Sequence, residues 1–148
     1  MTNAGCRLAP DRRRAETCDI GEGGACEPDV AKAWEVADEI LTPEFIFHPP
    51  NDREGQQGLE RHKQFLVWHH EAAPDQQYTV EDIVADSSRA AARWCLQGTH
   101  CGEVLGIPPT GRHFSLVGID YFHVLDHKIA EVWRSFDIRA LIQQLTPD

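Results

Sequence analysis

Residues 98–133 read GTHCGEVLGIPPTGRHFSLVGIDYFHVLDHKIAEVW, and this stretch decides the fold. Gly98-Thr99-His100 closes an apolar run. The following Gly106-Ile107-Pro108-Pro109-Thr110-Gly111 contains a proline pair, which fixes the backbone and disfavours helix. Residues 112–125 are then mostly apolar, with a single carboxylate, Asp120, set among Ile119, Tyr121 and Phe122. Asp126-His127 has the length of a tight hairpin turn, and Lys128 to Phe136 runs back. The pattern is strand, rigid loop, strand, turn, strand. Carboxylates among bulky apolar residues point to a sheet wrapped round a pocket with acid chemistry inside it.

A two-residue turn sets Leu125 against Lys128 and Asp120 against Trp133. Side chains alternate between faces, so Phe114, Leu116, Gly118, Asp120 and Phe122 would share one face with Glu131, Trp133, Ser135 and Asp137. One bulge would move part of this set to the other face. A carboxylate against apolar walls has its ionised form disfavoured and can exchange a proton near neutral pH. Asp137 is the first candidate for that role and Asp120 the second. Each has a structural alternative: Asp137 stands where it would cap the closing helix, and Asp120 could accept from Trp133 Nε1–H or from backbone N–H groups.

His48 ends a short strand before Pro49, and His100 ends another at the Gly/Pro loop. Both are candidates for orienting a carbonyl, with a satisfied structural histidine as the alternative. Trp68, Phe65, Phe122 and Trp133 could line a pocket for a hydrophobic ring-bearing ligand, or be plain core. His62, His69 and His70 lie along one helical stretch. They lack the i, i+4 partner and the glutamate of a zincin motif, so no metal is expected. No phosphate loop, dinucleotide fingerprint or serine elbow is present, and no cofactor is expected.

The order of elements is an α+β layout. Asp29 to Leu41 carries Val30, Ala33, Trp34, Ala37, Ile40 and Leu41 at helical spacing, bounded by Pro28 and Pro43. Phe45 to His48 reads as a strand, Gly58 to Glu71 as a second helix broken at Pro74. Gln76 to Ala85, Arg89 to His100, Arg112 to Leu125 and Lys128 to Phe136 are strands, and Asp137 to Leu145 is the last helix. Residues 1–28 have Gly21, Gly23 and Gly24, several charges and few large apolar side chains. They are expected to be a poorly ordered or loosely attached segment before a domain spanning residues 29–148.

Several of these pieces, taken in order, resemble the SnoaL-like polyketide cyclase family of the NTF2-like superfamily. They are Phe47-His48-Pro49, Ala73-Pro74-Asp75, Val80-Glu81-Asp82-Ile83-Val84-Ala85, Gly98-Thr99-His100, Gly102-Glu103, Gly106-Ile107-Pro108-Pro109-Thr110-Gly111-Arg112, Ile119-Asp120, Lys128-Ile129-Ala130-Glu131-Val132-Trp133 and Leu141-Ile142-Gln143-Gln144-Leu145. The resemblance implies a cone-shaped α+β barrel, a curved antiparallel sheet packed against N-terminal helices. It implies cofactor-free, aldol-type ring closure of a polyketide or similar carbonyl compound. The carboxylate after the Glu-x-Trp strand, here Asp137, would be the general acid/base. It also implies a homodimer through the outer sheet face, and an opening amphipathic helix whose apolar stripe residues 10–18 lack. Two alternatives remain open: an epoxide hydrolase or isomerase on the same cone, and a non-catalytic small-molecule-binding protein, since one fold hosts many chemistries.

The 148 residues fit one domain with a core of ordinary size. The net charge of −10 argues against nucleic acid or anionic membrane as partner, because both need a basic face. No apolar run would cross a bilayer, and no signal-peptide core opens the chain. Cytoplasm is therefore the expected location. The five cysteines include no Cys-x-x-Cys pair and are read as free thiols in a reducing compartment.

Overall fold

A computed structural model describes residues 30–146. The expectation for residues 1–28 falls outside them. The elements are α1 (Val30–Ile40), β1 (Leu41–His48), β2 (Gln56–Gln57), α2 (Leu59–Ala72), β3 (Gln77–Ala85), β4 (Arg89–Thr99), β5 (His113–Leu125), β6 (Lys128–Phe136) and α3 (Ile138–Leu145). This is the expected α+β order, with the two-residue β2 added. The six strands form one curved sheet in the order β2-β1-β6-β5-β4-β3. It is not closed: β2 and β3 are its edges. It is also not wholly antiparallel, because β1 runs parallel to β6. Among the described residues no helix is long and apolar enough to cross a membrane.

The β5–β6 hairpin turns as the sequence predicts. Asp126 and His127 both have positive φ, 48° and 64°, the left-handed pair of a two-residue hairpin turn. Leu125 faces Lys128 and Val124 faces Ile129. The register then slips at a bulge, so that His123 faces Glu131 and Asp120 faces Arg134. One inserted residue exchanges the faces of everything beyond it. The expected grouping of Asp120 with Glu131, Trp133 and Ser135 is thereby corrected. Val132, Arg134 and Phe136 share the inner face with Asp120 and Phe122. Glu131, Trp133 and Ser135 share the outer face with Val117, Ile119 and Tyr121.

The inner face carries two apolar clusters. Ala37, Leu41, Phe45, Phe47 and Val132 pack with Leu59, Phe65, Phe122 and Ile129, under α1 and α2. Ala73, Trp94, Leu96, Phe114 and Leu116 pack with Leu141 and Leu145 of α3. Asp75 pins the second cluster's rim: its carboxylate accepts from Thr99 N at 2.7 Å and Thr99 Oγ1 at 2.6 Å. The loop after β4 docks on the end of α2, where Cys101 N and Gly102 N donate to Ala72 O. Cys101 is disulfide-bonded, which departs from the expectation of free thiols throughout. Cys95 is free.

Trp94 and Gly118 face each other directly across β4 and β5. A Cβ on Gly118 would overlap the Trp94 ring and come within 2.7 Å of Ser135 O. The glycine is therefore a slot for the indole. Gly118→Ala should lower stability by about 2 kcal/mol through overpacking. Chemical denaturation followed by tryptophan emission measures this, and an unchanged midpoint would remove the slot from the account.

Candidate active site

Asp120 lies between the two clusters and is 5% exposed. Three donors hold it. Arg134 Nε reaches Oδ1 at 2.9 Å and Arg134 Nη2 reaches Oδ2 at 2.7 Å. Trp94 Nε1 reaches Oδ1 at 3.0 Å. A two-pronged guanidinium–carboxylate pair fixes both partners in one plane. Trp94, not Trp133, is the indole that serves this carboxylate, because the bulge carries Trp133 away and the Gly118 slot brings Trp94 in.

The Arg134 guanidinium lies over three rings: Trp94 at 5.1 Å, Phe47 at 5.4 Å and Tyr78 at 5.6 Å to the centroids. Cation–π attraction of this kind is stronger where water is excluded. Burial opposes the charge on Arg134, but the hydrogen bonds and charge of Asp120, together with Tyr78, hold its pKa above the ordinary arginine value. Burial pushes the Tyr78 phenol up to about 12, partly offset by Arg134. The phenol is thus neutral and can donate.

Helix α2 turns a second set of groups toward this centre. His62 meets Phe45 at 4.7 Å, Phe47 at 5.4 Å and Phe65 at 5.7 Å between ring centroids. His69 meets Phe65 at 5.6 Å. Burial, then the charge of Arg134, lowers both imidazoles to about 4. Both are therefore neutral at physiological pH. Their spacing is visible in the sequence, but spacing alone does not show which groups the helix faces. Among the described residues no cluster of three or more metal-ligating side chains occurs.

The sequence-predicted residues are scattered by comparison. Asp137 is exposed and accepts from Ala140 N at 3.0 Å, capping α3. The expectation of a carboxylate in the hollow is corrected for this residue, because β6 ends before it and the chain turns out into the helix. His48 is buried on the outer side of β1. Its Nε2 meets Glu131 Oε1 at 2.6 Å, its Nδ1 meets Asp52 O at 3.2 Å, and its ring stacks on Trp133 at 5.0 Å. Gly55 closes over that ring with φ of 78°, where a Cβ would lie 2.7 Å from His48 Cε1.

His100 is fully buried in the loop after β4, six residues and roughly 20 Å of strand from Trp94. Its Nδ1 accepts from Thr110 N at 3.2 Å and meets Thr110 Oγ1 at 2.9 Å. Burial keeps this imidazole below its ordinary pKa. Phe65 and Phe122 do face inward. Trp68 is 41% exposed and donates from Nε1 to Glu103 O at 3.2 Å. Trp133 is 37% exposed on the outer face.

The inward positions of β3 stay open. Val80 is 53% and Ile83 60% exposed, so the inner face of the sheet is open to solvent along that edge. A separate surface crevice of about 390 Å³ lies between α1 and α2, lined by Trp34, Glu60, Lys63, Gln64 and Val67. It occupies the far stripe of α2 from His62 and His69. Its one cation, Lys63, is held by Asp38 at 2.7 Å and Glu60 at 3.2 Å, so it offers no comparable chemistry.

The sequence profile of the SnoaL-like polyketide cyclases matches residues 29–145. No curated protein sequence matches the chain. Among solved structures, IdmH from Streptomyces antibioticus, assigned as a polyketide cyclase, shares 30% identity over 78% of this chain and 88% of its own, with a TM-score of 0.63. TsrD from Streptomyces laurentii shares 26% identity over 82% and 98%, with a TM-score of 0.64. A protein from Jannaschia sp. CCS1 assigned as a SnoaL-like polyketide cyclase shares 24% identity over 78% and 80%, with a TM-score of 0.69, a likeness of fold.

Two predictions follow from this geometry. Arg134→Met leaves Asp120 buried without its counter-ion and should lower stability by roughly 3–5 kcal/mol, against about 1 kcal/mol for loss of the Asp137 cap in Asp137→Ala. Urea denaturation of both variants gives the comparison, and equal losses would refute it. The second concerns pH. The unfolded chain takes up protons at His62 and His69 near 6.5 and the folded chain only near 4. Stability should be level above pH 6.5 and fall between 6.5 and 4, with a slope on the order of 1 kcal/mol per pH unit per imidazole. Thermal melts of the wild type and a His62→Phe/His69→Phe variant check this; the variant's curve should be flatter.

Proposed function

The chain belongs to the SnoaL-like polyketide cyclase family, and from that premise we propose that it closes a ring in a hydrophobic carbonyl compound by cofactor-free general acid/base catalysis. The observation that carries the reading is Asp120, buried among aromatic rings and aimed by Arg134 and Trp94. A compound with several carbonyls already has acidic C–H bonds, so the protein has two tasks. It must hold the chain folded on itself, and it must move one proton.

Asp120 takes the proton from the carbon flanked by carbonyls. That carbon attacks the second carbonyl, forming the C–C bond and breaking the C=O π bond. The new oxygen then receives the proton from Asp120, so the product is an isomer of the substrate. Arg134 has five N–H donors, and two engage Asp120. The donors not engaged by Asp120 or Tyr78 can stabilise the developing oxyanion from a fixed position. Positioning of the two carbons supplies much of the rate. The role falls on Asp120 rather than Asp137, whose carboxylate is exposed and engaged as a cap.

One observation favours a second reading. The open edge at Val80 and Ile83 admits water to the hollow, which suits a protein that binds such compounds without transforming them. We also infer a homodimer through the outer face, supported by the exposure of Val117, Ile119 and Tyr121 there. Light scattering should then show Ile119→Asp shifted to monomer, and an identical mass for both proteins would overturn the pairing.

Ring closure of a soluble aryl triketone, followed by NMR, tests the main proposal. The wild type should accelerate closure over buffer, Asp120→Asn should lose about 100-fold or more, and Asp137→Asn should stay within about threefold. Saturable binding without acceleration would select the binding-protein reading. Undiminished turnover by Asp120→Asn would remove Asp120 from the chemistry.

A further inference from the structure

Two imidazoles in the hollow are left without a use by this reaction. His62 Nδ1 is buried and has no hydrogen-bond partner among the described residues. Leaving a buried polar nitrogen unpaired costs about 1–3 kcal/mol, and such a group in a folded protein calls for an explanation. His62 sits in a box of Phe45, Phe47 and Phe65, where a phenylalanine or leucine would pack with no such penalty. His69, two turns along α2 and so about 10 Å away, shares the Phe65 ring with it. Both rings feel the charge of Arg134, and Phe47 touches both His62 and the Arg134 guanidinium. The α2 side of the inner face therefore holds two imidazoles, one with an unused ring nitrogen, and the sheet side holds the acid and its arginine.

We propose that His62 and His69 are ligand-binding residues that hydrogen-bond two oxygen functions of the bound compound, about 10 Å apart, and so hold its chain across the Arg134–Asp120 pair. This rests on the reading of the hollow as the ligand site. The rings select rather than react: both are neutral at physiological pH, and each can donate from one nitrogen and accept at the other. The spacing favours an elongated compound oxygenated near both ends over a compact one with a single carbonyl. A ligand oxygen at His62 would supply the partner that its Nδ1 lacks within the fold.

The test uses full-length protein labelled with ¹⁵N in its histidines, the same aryl triketone, and variants His62→Phe, His62→Asn and His69→Phe. The probe should move the His62 and His69 ring ¹⁵N resonances. His62→Phe should bind the probe about tenfold more weakly, the loss of one hydrogen bond, while its melting temperature at pH 7 equals or exceeds that of the wild type. His62→Asn, which keeps an amide near the Nδ1 position, should recover part of the affinity. A structural role gives the opposite pattern: His62→Phe melts lower and binds the probe as the wild type does. If the wild type binds and turns over the probe but the ring resonances stay fixed, this inference falls and the role of Asp120 stands. If the wild type neither binds nor turns it over, both fall.

Discussion

The bidentate pair between Arg134 and Asp120 organises the interior. It is the polar seam between two apolar clusters that would otherwise be separate cores. The guanidinium touches rings from both, Phe47 on one side and Trp94 on the other, so a charge becomes the joint between greasy surfaces. Such a joint works only when both ions are held and paired, because an unpaired buried charge is strongly destabilising. The pairing needs the hairpin bulge to bring Arg134 opposite Asp120. It also needs the bare backbone of Gly118 to let the Trp94 indole lie close. Three distant choices in the sequence thus converge on one carboxylate.

The same arrangement makes the inner face chemically uneven. The sheet wall is charged but internally neutralised, and it offers donors directed at a fixed point. The helix wall is aromatic and carries imidazoles that Arg134 and burial together keep uncharged. Asp120 is thereby the single anionic group among the inward residues named around Arg134. That asymmetry separates the place where a proton moves from the surfaces that hold the rest of a molecule. Along β3 the wall is low, and the aromatic and aliphatic side chains there remain open to solvent.

Much of this was legible in the sequence. Helix and strand periodicities placed every long element to within a few residues, and the Asp126-His127 turn was read from its length and flanks. The isolation of Asp120 among apolar neighbours marked it correctly as unusual. What the sequence could not carry was the bulge. Nothing in Lys128-Ile129-Ala130-Glu131 announces that one residue will be left unpaired, yet that slip decides which of Glu131, Val132, Trp133 and Arg134 face inward. Arg134 therefore gives no sign in the sequence of its inward position, and Trp133 reads as a candidate pocket wall. Asp137 showed the reverse limit: its sequence position suits both a cap and a catalyst, and only the path of the chain after Phe136 exposes it. His62 and His69 had a visible spacing, but spacing cannot say which groups stand across from a helix.

The parallel contact of β1 with β6 has a bearing on how the chain reaches this form. Leu41 meets Ile129 and His48 meets Trp133, so the earliest strand borders the latest one. Neighbouring strands from β3 to β6 pair through two short turns and the loop at residues 100–112, whereas β1 must wait for nearly the whole domain to emerge. Until then Phe45 and Phe47 have only the two-residue β2 beside them. A ribosome-bound fragment ending before Lys128 would carry β1 without its β6 partner, and the last strand would act as the latch that completes the sheet in one late, long-range step.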